Sequence, residues 1–89
     1  MKAPYLEVTY HKGHVLAAYF YLTRGGGQKS VRSQPRSAGL ILDFAANGKP
    51  IGIEITAPEK LTLAALNRVL KELGCAPVRR ADLAPLCAA

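Results

Sequence analysis

Tryptophan is absent from this chain, methionine occurs once, and the only two cysteines, Cys75 and Cys87, stand near the C-terminal end. That distribution argues against a disulfide-stapled scaffold, because a cross-link between those positions would hold only the tail; free thiols are expected. Long apolar runs are missing as well. The longest, Val15 to Phe20 extended through Tyr21 and Leu22, falls far short of the ~20 residues that span a bilayer, so no membrane partner is expected. Glu7 and the polar stretch from Tyr10 to His14 interrupt any apolar leader, which leads to the expectation of a cytoplasmic protein. Acidic residues are scarce: six against twelve lysines and arginines, for a net charge of +6. Between Leu22 and Leu42 there are none at all, while Arg24, Lys29, Arg32 and Arg36 fall in that interval. This basic stretch reads either as a solvated loop or as a landing surface for phosphates or carboxylates.

What is present is an ordinary globular composition, 49% apolar and 20% charged over 89 residues. A chain of this length forms one domain and buries about 60–65% of its unfolded surface, enough for a modest core. Leu6, Val8 and Tyr10 alternate with Tyr5, Glu7 and Thr9, the two-residue period of a half-buried strand. A β-rich run from His14 to Leu22 follows the turn at His11-Lys12-Gly13. A two-residue loop there would put Leu16, Phe20 and Leu22 on the face opposite Leu6 and Val8. A three-residue loop with Gly13 left-handed pairs Val8 with Leu16 and Leu6 with Ala18, and so gathers the aliphatics on one side; that register is expected. Arg24 to Gln28 is a glycine-rich connection. Lys29 to Gln34 suits a third strand at an edge, and Pro35 and Gly39 bracket a turn.

The strongest local signal is Asn47-Gly48, the dipeptide suited to a type I′ turn, between Leu40–Ala45 and Lys49–Thr56. With those two residues as the loop, Phe44 faces Ile51, Leu42 faces Ile53 and Leu40 faces Ile55, leaving Asp43, Gly52 and Glu54 on the other side. Pro50, opposite Ala45 in that register, suggests an outer edge. After Pro58, Thr62 caps a helix to Leu73, with Leu63, Leu66, Leu70 and Leu73 in one stripe, Val69 beside it, and Gly74 as a left-handed stop. Asp82 is placed to cap a short turn in the tail. The expected fold is α+β: an antiparallel β-meander sheet of four to five strands with one C-terminal helix packed on one face. The sheet occupies about 5–56, the helix about 62–73 and a short tail 75–89 of a single domain.

No residues assemble into a catalytic, cofactor-binding or metal-binding pattern. His11 and His14 at a hairpin tip lack the third and fourth ligands a zinc site needs. Gly25-Gly26-Gly27-Gln28-Lys29-Ser30 lacks the spacing of a phosphate loop and leads into no helix. Glu7, Asp43 and Glu54 all project from the non-helix face, Asp43 and Glu54 as diagonal neighbours roughly 7–8 Å apart. They suit acid–base chemistry in principle, and solvation of an open face more simply. The same face carries Val15, Ala17, Tyr19, Tyr21 and Ile41. One helix covers one side of a sheet only, so tyrosines and aliphatics gathered on the other suggest an interaction face: Tyr19, Tyr21, Ile41, Asp43 and Glu54.

The segments Tyr19-Phe20-Tyr21-Leu22, Gly39-Leu40-Ile41-Leu42-Asp43-Phe44, Asn47-Gly48 and Gly52-Ile53-Glu54-Ile55 follow one another at distances that resemble the small bacterial family known as "domain of unknown function 2283". The resemblance covers roughly Leu6 to Ala57 and is most specific at Gly52-Ile53-Glu54-Ile55. His11-Lys12-Gly13-His14 stands where the family usually has an acidic turn, and the basic insertion after Leu22 is unusual for it. The resemblance implies no established activity; some members look like the smaller halves of toxin–antitoxin pairs, encoded beside a small ribonuclease-like toxin. Taken together, the expectation is a non-enzymatic interaction module without cofactors, a homodimer joined through faces or strand edges, with a small toxin as a partner. Nucleic-acid binding through the basic stretch and a small enzyme built on Asp43 and Glu54 are the alternatives.

Overall fold

Leu40, Leu42, Ile53 and Ile55 are the most deeply buried side chains of the sheet, and the rest of the chain is arranged around them in the computed structural model, which describes residues 5–22 and 29–87. Five antiparallel strands, β1 (Tyr5–His11), β2 (His14–Tyr21), β3 (Arg32–Arg36), β4 (Leu40–Phe44) and β5 (Pro50–Ile55), lie in the order β1-β2-β5-β4-β3. The expected α+β architecture is therefore present. Its β3-β4-β5 part runs sequentially, and β5 then docks beside β2, which makes β5 the central strand. The glycine-rich connection and Arg24 lie outside the described residues.

Both hairpins reach the expected sidedness by a different route. At the first, Lys12 (φ 52°) and Gly13 (φ 81°) are both left-handed and close a two-residue turn between His11 and His14. Tyr10 pairs with Val15 and Thr9 with Ala17, so Leu16 is an extra residue in a β-bulge. The bulge shifts the parity that the expected three-residue loop was meant to shift. Val8 consequently meets Ala18 and Leu6 meets Phe20, not Leu16 and Ala18. Leu16 is left 59% exposed, and Val15 lies opposite Tyr10 on the helix side of β1 instead of on the open face.

At the second, Leu42–Ile53 and Leu40–Ile55 pair as expected, but Phe44 faces Pro50, with Ile51 the bulged residue. The Asn47-Gly48 loop is not type I′. Gly48 N–H donates to Ala45 C=O (2.9 Å), Lys49 N–H donates to Asn47 Oδ1 (3.0 Å), and only Gly48 is left-handed (φ 86°). This is a three-residue loop in which a left-handed glycine follows the turn. Pro50 opens the central strand and marks no outer edge; a strand's first residue tolerates the missing N–H. Pro35 also differs from expectation: it sits inside β3, an edge strand, and the turn is confined to Ser37–Gly39.

Helix α1 (Leu63–Glu72) forms as its caps dictate. Thr62 Oγ1 accepts the Ala65 N–H (3.1 Å), and Gly74 at φ 75° lets the Cys75 N–H reach Leu70 C=O (2.8 Å). Leu66, Val69 and Leu70 are buried against Leu22, Phe20, Ala18 and the β4–β5 aliphatics, forming one cluster. The tail joins it. Asn67 clasps the Val78 backbone twice (Nδ2–H to C=O 3.1 Å, N–H to Oδ1 2.8 Å), and Leu83 enters the core at 6% exposure. Asp82 stands inside a turn at Arg80–Leu83 rather than before it: Arg79 is the cap residue, and Asp82 Oδ2 reaches back to accept the Arg79 N–H at 2.8 Å. No helix among the described residues is long and apolar enough to cross a membrane.

Candidate functional site

With α1 and the tail on one side, no described helix or strand covers the other side of the sheet, and strand pairing arranges its side chains in two cross-strand rows. Glu7, Tyr19, Glu54, Ile41 and Pro35 form one row. Tyr21, Gly52, Asp43 and Ser33 form the next. All five residues expected on the interaction face (Tyr19, Tyr21, Ile41, Asp43 and Glu54) thus share it, with Glu7 alongside.

Gly52 organises the centre. A Cβ at this position would collide with Cε1, Cζ and the hydroxyl of Tyr19, so the phenol lies directly across the glycine. Crossing there lets Tyr19, on β2, span the central strand and donate its hydroxyl to Asp43 Oδ2 on β4 at 2.7 Å. Ser33 on β3 donates to Asp43 Oδ1 at 2.6 Å. Two short, charge-assisted bonds fix the carboxylate as an acceptor. Tyr21 stacks on Tyr19 (centroids 4.6 Å apart, planes inclined 25°) and donates to Glu7 Oε1 at 3.1 Å. Burial, then the hydrogen bond and charge of Asp43, with smaller contributions from Tyr21 and Glu54, hold the Tyr19 phenol well above its ordinary pKa. It is a fixed donor.

The electrostatics of the face run against those of the chain. It carries Glu7, Asp43 and Glu54, half of the six acidic residues, and no strand position on it holds a lysine or arginine. Among the described residues, Glu72 and Asp82 have arginine partners and these three carboxylates have none. Glu7, Thr9, Ala17, Tyr19 and Glu54 line an open cleft of about 190 Å³ between the two glutamates.

Of the basic residues of 24–36, Arg32 and Arg36 share one side of β3. They pair with Phe44 and Leu40, which places them on the helix side. The Arg32 guanidinium lies 4.4 Å from the centre of the Phe44 ring, and Arg36 Nε lies 3.4 Å from Glu72 Oε1. Lys29 is exposed, and Arg24 lies outside the described residues. His11 and His14 are cross-strand neighbours, both exposed, and no group of three metal-ligating side chains occurs among the described residues. Burial alone raises the Cys75 thiol. Two members of the site, Ser33 and Gly52, escape a residue-by-residue reading. Gly52 does carry a signal, since glycine inside an alternating strand marks a close approach. Comparison with protein-family models, with curated proteins and with solved structures returns no match to this chain.

Proposed function

We propose that the chain is a non-enzymatic protein-interaction module whose open sheet face docks a basic segment of another protein. The observation that carries this reading is the set of three carboxylates without a cationic partner among the described residues, gathered around two stacked tyrosines on a chain of net charge +6. A lysine or arginine entering the cleft between Glu7 and Glu54 meets charge on both sides and an aromatic ring between them, the setting of a charge-assisted and cation–π contact. Packing this face against the same face of a second copy sets carboxylates against carboxylates, so a different chain fits it better. The narrower antitoxin-like role rests on the strand resemblance alone. Co-purification with the product of a neighbouring toxin-like gene, lost on Glu54→Lys, would support it.

Titrating an arginine-rich peptide into isotopically labelled protein tests the docking reading. Shifts confined to the amides of Tyr19, Tyr21, Ile41, Asp43 and Glu54 support it. Shifts elsewhere, or none, sink it. A short DNA or RNA oligonucleotide that instead shifts Arg32 and Arg36 would favour the nucleic-acid alternative.

A further inference from the structure

The two edges of the sheet are built differently. β3 has five residues, carries Pro35 within it and bears Arg32 and Arg36, the devices that stop an edge from pairing with another chain. β1 has seven residues, with no proline, lysine or arginine and a single carboxylate at Glu7. Among the described residues it pairs with β2 alone, so its outer row of N–H and C=O groups faces away from the sheet. The core is also unfinished there. Leu6 and Val8 are only half-buried at its rim, and Tyr10 (52%) and Leu16 (59%), two of the three exposed large apolar side chains among the described residues, belong to the same hairpin.

We infer that β1 is the seam of a homodimer, two copies joining edge to edge with their β1 strands antiparallel about Val8. This register sets Val8 against Val8 and Leu6 against Tyr10 of the second copy on the helix side, and Glu7 against Thr9 on the open side. Apolar groups meet apolar groups, and no like charges stand opposite each other. Centring one residue earlier would oppose Glu7 to Glu7. A two-fold axis perpendicular to the sheet keeps both helices on one side, so the ten-stranded sheet presents two acidic docking faces side by side. The seam does not depend on what those faces bind.

Light scattering or sedimentation equilibrium on the full chain tests it. At concentrations on the order of 100 μM the expected mass is twice the 9.5 kDa of the chain. Thr9 is exposed, so its variants keep the sheet, which far-UV circular dichroism verifies. Thr9→Glu opposes Glu7 twice across the axis and weakens the dimer about tenfold, whereas Thr9→Arg pairs with Glu7 twice and tightens it by a similar factor. Glu54→Lys, on the docking face, leaves the dimer unchanged. A monomeric wild type overturns the inference. So does a dimer that ignores both Thr9 variants, or one that Glu54→Lys dissociates.

Discussion

Tyr19 carries three duties at once: its ring covers Gly52, its hydroxyl holds Asp43, and its face stacks on Tyr21. Gly52→Ala drives a methyl into that ring and should cost about 1–3 kcal/mol in urea unfolding. In a Tyr19→Ala background the same change should cost much less, because the clash is gone, and a double-mutant cycle reads the difference. The phenol also leaves a signature in pH. Folding raises its pKa above tyrosine's ordinary 10.0, so the folded state holds the proton more tightly. The stabilisation this gives is complete below the unfolded value and is lost as pH climbs past it. Absorbance titration in the alkaline range should show a tyrosine ionisation displaced above the ordinary value, and Tyr19→Phe should delete it. Ala38 offers an independent check on the backbone. At φ 60° it occupies a conformation that costs an L-residue roughly 1–2 kcal/mol, so Ala38→Gly should raise the urea midpoint by an equivalent of about 1 kcal/mol.

At the scale of the element, the hydrophobic period gives the faces of each strand correctly but leaves the mechanism of parity open. A three-residue loop and a two-residue loop with a bulge return Leu6, Val8 and Phe20 to the same side, and alternation cannot tell them apart. Leu16 and Ile51 are the residues the bulges expel. The Asn47-Gly48 dipeptide marks the turn correctly, yet only its glycine needs a positive φ. The helix was legible to its caps because Thr62 and Gly74 act on neighbours in sequence. The tail was not, since Asn67 reaches the backbone of Val78 through space, and an asparagine on a helix looks like any polar residue. Asn67→Ala removes both bonds and should cost about 2 kcal/mol, with faster hydrogen exchange from Val78 onward. The solvent-screened Arg36–Glu72 pair should matter far less, Glu72→Gln changing stability by under about 1 kcal/mol.

At the scale of the molecule, charge is segregated between the two sides of the described sheet. Arg32 and Arg36 lie on the helix side, while half of the chain's acid stands on the open sheet face. Sidedness was readable from the period, and so was the membership of Tyr19, Tyr21, Ile41, Asp43 and Glu54. Contact between Tyr19 and Asp43 was not, because it depends on β5 docking between β2 and β4, a pairing that turn chemistry does not specify. Asp43 and Glu7 accept tyrosine hydroxyls, but among the described residues no cation balances them or Glu54, and a basic partner docked on this face would supply that charge. The direct test is calorimetric titration of an arginine-rich peptide into the wild type and into Glu7→Gln/Glu54→Gln, with unfolding stability measured for both. Binding to the wild type should weaken steeply with salt and be lost in the variant, at unchanged stability. Equal binding by the two proteins, or none by the wild type, would contradict docking on this face.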